Sequence, residues 1–140
     1  MICESGGIVV PATIDAIEEV ALYLEECLEQ AEVPLMEATR IQLAVEEAVT
    51  NVVTHGYETE GGKVSIRCVS SPELVTITIT DTGPAFDPTK IPPADVTADL
   101  DHRNIGGLGV HLIKSVMDEV LYNREMDANQ LTLVKRLSTS

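Results

Sequence analysis

Apolar and polar positions along this chain repeat with two different periods, and the change of period marks the elements. Ile8-Val9-Val10, just before Pro11, is a short apolar run that reads as a strand. From about Ala12 to Ala31, Ile14, Ile17, Ala21, Leu24 and Leu28 form one apolar stripe at helical spacing, with the glutamates opposite and Thr13 as candidate N-cap. Pro34 suits the first turn of a second helix. Leu35, Ile41, Ala44, Val45, Ala48, Val49, Val52 and Val53 carry that helix to about His55, where Gly56 can cap it. Its interior of small and β-branched residues is that of a helix packed closely on a sheet.

The period then falls to two. Glu60-Gly61-Gly62-Lys63 reads as a turn; Val64, Ile66 and Cys68 alternate with polar residues; Ser70-Ser71-Pro72-Glu73 turns the chain; Val75, Ile77 and Ile79 alternate with threonines up to Asp81. These are two antiparallel strands with one buried face. From Pro84 to Asn104 regular patterning fails except for a candidate helical turn near Ala94 to Leu100, and a loop of that length in a small domain is usually functional or mobile. Gly107 to Met117 reads as a third helix, with Leu108, Leu112, Ile113 and Val116 buried. Glu119 to Arg124 and Gln130 to Leu137 read as a closing hairpin around Asp127-Ala128-Asn129. The predicted fold class is α+β: a two-layer sandwich with a mixed, mainly antiparallel sheet and helices on one face, formed by a single domain over residues 1–140.

Composition narrows the options. The only aromatics are Tyr23, Tyr57, Tyr122 and Phe86, so the core is aliphatic and a stacking platform for single-stranded nucleic acid is poorly supplied. A formal net charge of −14 offers no basic patch for a duplex, so no nucleic-acid partner is expected. No Lys or Arg precedes Arg40, whereas the first predicted helix carries Glu18, Glu19, Glu25, Glu26 and Glu29. That is either a solvated face or an acidic surface for a basic protein partner. Cys3, Cys27 and Cys68 have neither metal nor disulfide spacing and read as reduced, mostly buried cytosolic thiols. The start lacks a signal-peptide pattern and no apolar run reaches spanning length, so a cytoplasmic protein without a membrane partner is expected.

Three segments carry candidate chemistry. Glu47 and Asn51 lie four apart and share a helix face, with His55 continuing the line, while Glu46 points about 100° away. An Asn carbonyl plus substrate phosphates can hold Mg²⁺, and a carboxylate one turn away can take a proton from a hydroxyl attacking a γ-phosphate. Alternatively both are ordinary polar residues at a helix edge. Asp81-Thr82-Gly83 places an acid at a strand end before a glycine. The acid can accept a hydrogen bond from an exocyclic amine such as adenine N6, or the three residues are only a turn. Gly106-Gly107-Leu108-Gly109 opens an apolar helix, either as a phosphate-binding loop or as a helix-starting turn. It lacks the ending of a P-loop, and His55, His102 and His111 are too dispersed for a zinc motif.

Taken in order, these segments resemble the motifs of the Bergerat-fold, histidine-kinase-like ATPases. Glu47-Ala48-Val49-Thr50-Asn51 with His55-Gly56-Tyr57 resembles the N-box, Asp81-Thr82-Gly83 the first glycine box, and Arg103 to Ile113 the second. Glu-Ala-Val-Thr-Asn, Phe86-Asp87-Pro88 and Met117-Asp118-Glu119-Val120 are most similar to the anti-sigma-factor serine/threonine kinases. The resemblance runs from about Ile8 to Leu137. It implies that Asn51 holds Mg²⁺, that Glu47 is the general base, and that Asp81 binds adenine beside Gly83. It implies that Gly106, Gly107, Leu108 and Gly109 close over the phosphates, with Arg103 reaching a phosphate, His55 in the N-box and Thr132 supporting the adenine site. Residues from about 84 to 106 are then the ATP lid. Two positions depart from the family pattern: Ala85 stands where a further glycine is common, and the acidic first helix lacks the basic residues some relatives use on partners.

The implied function is an ATP- and Mg²⁺-dependent protein kinase, acting as a homodimer, that phosphorylates a small antagonist protein on Ser or Thr and sequesters a sigma factor. An ATP-responsive binding switch without phosphotransfer, and the catalytic domain of a split histidine kinase, are the alternatives.

Overall fold

The computed structural model describes residues 3–4, 7–56, 62–71, 73–83 and 112–137, with the backbone alone at positions 3, 4 and 55. The proline-rich segment 84–104, the glycine loop 106–109 and the start of the third predicted helix lie outside the described residues.

Strands β3 (Lys63–Ser70) and β4 (Leu74–Asp81) form the expected hairpin, in register from Val64 opposite Asp81 to Ser70 opposite Val75. Ser71 closes the connection: its N–H donates to the Leu74 carbonyl at 2.9 Å, and its hydroxyl accepts from the Leu74 N–H at 3.1 Å. On its other edge β4 pairs with the last strand, β6 (Ala128–Arg136), which pairs in turn with β5 (Glu119–Glu125). The outer edge of β3 is shared by two short strands, β1 (Cys3–Glu4) and β2 (Ile8–Pro11), and every described pairing is antiparallel. Gly7 makes the step between them: its φ is +83°, and a Cβ there would stand 2.7 Å from the Ile66 carbonyl oxygen.

Two helices cover one face of this sheet. Helix α1 (Ile17–Gln30) follows a 3₁₀ turn at Ile14–Ala16, and α2 (Leu35–Gly56) follows Pro34. Helix α1 ends in a Schellman turn. Glu32 takes φ 60°, its N–H reaches the Glu29 carbonyl at 3.0 Å, and the Val33 N–H reaches that of Leu28, also at 3.0 Å. The core joins Val20, Leu24 and Leu28 of α1 and Ile41, Val45 and Val49 of α2 to the inward residues of β3, β4 and β6. Burying each such side chain contributes about 1.5–3 kcal/mol.

Where β1 gives way to β2, α1 completes the edge of β3. The Cys68 N–H donates to the Tyr23 hydroxyl at 2.9 Å, and the Cys27 thiol donates to the Cys68 carbonyl at 3.6 Å. Cys27 and Cys68 are buried, as the sequence predicts.

Four local expectations are corrected. Thr13 occupies the cap of the 3₁₀ turn without a side-chain cap bond. Ile14 is 57% exposed, because a 3₁₀ turn advances about 120° per residue and shifts the helical phase. The inward stripe of α1 keeps the expected Leu24 and Leu28 and adds Val20 and Cys27. Leu35, at the first position of α2, is 82% exposed. The last hairpin turns at Met126-Asp127, both at positive φ as a type I′ turn requires, so Ala128 and Asn129 are strand residues.

Candidate functional site

Asp81 is the last residue of β4 and continues the inward series Val75, Ile77, Ile79. It is only 4% exposed. A buried carboxyl group demands donors, and two converge on its Oδ1: the Gly83 N–H at 2.9 Å and the Asn129 side-chain amide at 3.1 Å. The first bond is the local Asx geometry expected of Asp-Thr-Gly. The second follows from register, since Asn129 stands directly opposite Asp81 on β6. The carbonyl end of Asn129 accepts from the Tyr122 hydroxyl and, at 3.2 Å, from Arg124 Nη1. That same guanidinium nitrogen donates to the Gly83 carbonyl at 2.7 Å. The β5–β6 hairpin therefore clamps the Asp-Thr-Gly turn at both ends.

The other half of the site lies on α2. Asn51 is 4% exposed, and its Nδ2 is buried without a hydrogen-bond partner. Leaving such a group unsatisfied costs about 1–3 kcal/mol, so its presence on the otherwise aliphatic buried face of α2 fits a partner arriving from outside the chain. An amide can turn its carbonyl to the same place, and a carbonyl is the hard oxygen donor Mg²⁺ takes. Glu47, one turn earlier, is half-buried. Its neighbour Glu46 is half-buried too; burial, and then the Glu47 carboxylate, raise the Glu46 pKa above the ordinary carboxylate value. The Thr50 hydroxyl donates back to the Glu46 carbonyl at 2.7 Å, which occupies the polar side chain between Glu47 and Asn51.

Asp81 and Gly83 thus meet at the end of β4, and Glu47 and Asn51 share a face of α2. His55 is helical, with its side chain outside the described residues, as are Arg103, Gly106, Gly107, Leu108 and Gly109 entirely. Thr132 is not where the resemblance implies. In register it pairs with Thr78, one residue out of phase with the inward series Asn129, Leu131, Leu133, so it stands on the sheet face away from Asp81. Asn129 takes the place beside the acid. Asn129, Arg124 and Tyr122 are the residues the sequence reading missed; extending the alternation Leu133, Leu131 back by one step points to Asn129 as an inward polar residue.

The sequence profile of the histidine kinase-like ATPase domain matches residues 10–135. Serine-protein kinase RsbW of Staphylococcus aureus is 34% identical over 122 residues, which span 83% of this chain and 77% of that one. The chain belongs to the histidine kinase-like ATPase family and, within it, to the RsbW-type serine-protein kinases. The fold of this family is seen in a crystal structure of the RsbU and RsbW domains of a Mycobacterium tuberculosis protein. That structure has 21% identity and a TM-score of 0.63, and the match covers 97% of this chain and 34% of that one. A blue-light activated histidine kinase of Erythrobacter litoralis shares the fold at a TM-score of 0.54 and 23% identity, over 77% of this chain and 33% of the kinase. The open antiparallel sheet with its helices on one face is the RsbW-type and histidine-kinase ATPase fold.

Proposed function

We infer that this chain is an ATP-dependent serine/threonine protein kinase of the anti-sigma-factor type. The observation that carries the reading is the 34% identity to a serine-protein kinase across most of both chains. The geometry of Asp81, Glu47 and Asn51 supports it. In this reading Asp81, held by Gly83 and Asn129, accepts the adenine 6-amino group, and Asn51 supplies an oxygen to Mg²⁺. When bound, the metal neutralises charge on the phosphates. Glu47 takes the proton of the acceptor hydroxyl as its oxygen attacks the γ-phosphorus, and the bond from that phosphorus to the bridging oxygen of ADP breaks. His55, Arg103 and the loop Gly106-Gly107-Leu108-Gly109 belong to the same site, with residues of about 84–106 as its lid in a single domain over 1–140. The acceptor is a small antagonist protein, a sigma factor is the second partner, and the working form is a cytoplasmic homodimer.

The test is phosphotransfer from γ-labelled ATP with Mg²⁺ to the antagonist protein. Acid-stable phosphoserine or phosphothreonine that disappears in Glu47→Gln, while ATP binding persists, is the expected result. Transfer that survives in Glu47→Gln removes the general base from this account, and acid-labile phosphohistidine on the partner replaces it with a histidine kinase.

A further inference from the structure

Helices α1 and α2 cover one face of the sheet, and the other face differs in charge from the rest of the chain. Register defines it. Its central row runs Leu121, Thr132, Thr78, Arg67 across β5, β6, β4 and β3. The row nearer Asp81 runs Asn123, Gln130, Thr80, Ser65 and, on β2, Val9. The row on the other side runs Glu119, Val134, Thr76, Val69. The three threonines of β4 are half-buried, as are Thr132 and Val134, whereas Val9 is 65% and Leu121 54% exposed. In a chain with 23 acidic residues and a net charge of −14, no outward position of β2, β3, β4 or β6 is acidic. The outward acids of β5 are Glu119 and Glu125 at its two ends, and Glu119 is paired with Arg136 at 2.9 Å. The helical layer is the reverse: α1 carries Glu18, Glu19, Glu25, Glu26 and Glu29 and no basic residue.

We propose that this outer sheet face is the surface on which a second copy of the chain packs, sheet against sheet, about a twofold axis passing near Thr78. The inference deepens the homodimer part of the proposed function and rests on it. Charge selects the surface. Two copies at −14 repel one another, and the repulsion is least where the facing strands carry no acid and the acidic helices point apart. Chemistry suits a second copy. In a twofold interface one patch meets itself, so its groups must be complementary to their own kind. Carboxylates are not, but a threonine hydroxyl both donates and accepts, and its methyl group is apolar. Size is sufficient. The strands β3, β4, β6 and β5, at about 4.8 Å spacing and about 3.3 Å per residue, give a plan of about 20 Å by 25 Å. Roughened by side chains, that plan is of the same order as the ~800 Å² of accessible surface each partner contributes to a standard interface. Val9 and Leu121, at opposite edges of the face, are exposed apolar groups that the second copy covers.

The test is the mass of the full chain in solution, by sedimentation equilibrium over a concentration series, for the wild type, Thr78→Arg and Leu35→Arg. Thr78→Arg sets a cation against its own copy at the centre of the face. Leu35→Arg adds the same charge to an exposed position of the helical layer and serves as the control. The expected result is a wild-type dimer, a Leu35→Arg variant that dimerises as well, and a dissociation constant at least about 100-fold higher in Thr78→Arg, from like charges brought together in the interface. Melting temperatures establish that each variant is folded, and Thr132→Arg, beside Thr78 in the same row, replaces Thr78→Arg should that variant fail to fold. A dimer that persists in both Thr78→Arg and Thr132→Arg overturns this surface and leaves the homodimer standing. A mass that grows beyond the dimer with concentration overturns twofold packing in favour of a sheet face laid on the acidic helices of the next copy. A wild type that stays monomeric throughout overturns both the surface and the homodimer. The rise in melting temperature with Mg·ATP, measured alongside, reads the nucleotide site separately.

Discussion

Replacing Asp81 by Asn separates the fold from the ligand site with a single atom. In the present structure Asp81 Oδ1 accepts from the Gly83 N–H at 2.9 Å and from Asn129 Nδ2 at 3.1 Å. An Asn at 81 can keep both bonds with its carbonyl oxygen, which places its amino group where the second carboxyl oxygen was. The acceptor offered to adenine then becomes a donor facing a donor. Loss of a hydrogen bond to a charged group is worth about 1.5–3 kcal/mol, which weakens binding about 10–150-fold. At an ATP concentration of about 100 times the wild-type dissociation constant, ligand stabilises the wild type by roughly 2.7 kcal/mol, and the variant by only about 0.3–1.4 kcal/mol at the same concentration. At about 4 °C per kcal/mol for a chain of this size, the melting temperature rises by roughly 11 °C in one case and about 1–6 °C in the other. Thermal unfolding with and without Mg·ATP reads both. An Asp81→Asn variant that folds and shows the full wild-type shift would refute the assignment of adenine to this carboxyl group.

Other substitutions test neighbouring parts of the structure. Glu47→Gln abolishes phosphotransfer and leaves the ATP-induced rise in melting temperature in place; loss of that rise would show Glu47 to be needed for binding rather than for proton removal. Glu46 has its pKa raised in the fold from 4.5, chiefly by burial. The folded chain therefore holds this proton more tightly than the unfolded one, and the group's contribution to stability falls as pH rises from 4.5 through the raised value. Glu46→Gln should accordingly gain on the wild type across that window and stay ahead above it, measured as urea midpoints at a series of pH values; a constant difference contradicts the shift. Tyr23→Phe removes the hydroxyl that accepts the Cys68 N–H at 2.9 Å and should cost about 1–3 kcal/mol in urea denaturation. Met126 is 95% exposed at φ 53°, so Met126→Asn should stabilise the I′ turn by about 0.5–1 kcal/mol; a loss of stability would show that the turn is held by something other than its own backbone preference.

The sheet was legible because period-two alternation is strict in β3 and β4: Val64, Ile66, Cys68 and Val75, Ile77, Ile79 are all inward, as read. Helix α2 was legible from Ile41 to Val52, where the helix lies over the sheet, and misread at Leu35, where spacing matches but the helix end has not yet reached the core. Helix α1 was read correctly at Leu24 and Leu28 and misread at Ile14, which falls in a 3₁₀ turn at Ile14–Ala16 that no spacing announces. In the site, Glu47, Asn51 and Asp81 were visible as polar residues at positions where apolar ones were expected. Asn129 was hidden because Asp-Ala-Asn is good turn chemistry, which masked the alternation running back from Leu133 and Leu131; the cross-strand register with Asp81 places it as an inward strand residue. Arg124 and Tyr122 have no linear signal, since their meeting with Gly83 and Asn129 depends on the pairing of β6 with both its neighbours.

That pairing also sets an order of events. β4 receives one neighbour from a short local hairpin and the other from the far end of the chain, and the contact that orients Asp81 spans 48 residues. Local contacts close early and distant ones late, because a larger loop must be restrained before they form. The Asp81–Asn129 contact, and with it the pocket proposed for the nucleotide, is therefore among the last features to mature during folding. A chain halted before β6 would own Asp81, Asn51 and Glu47 and still lack the Asn129 bond that holds the acid, so in the proposed reading ATP binding reports on the completion of the fold as well as on the integrity of its pocket.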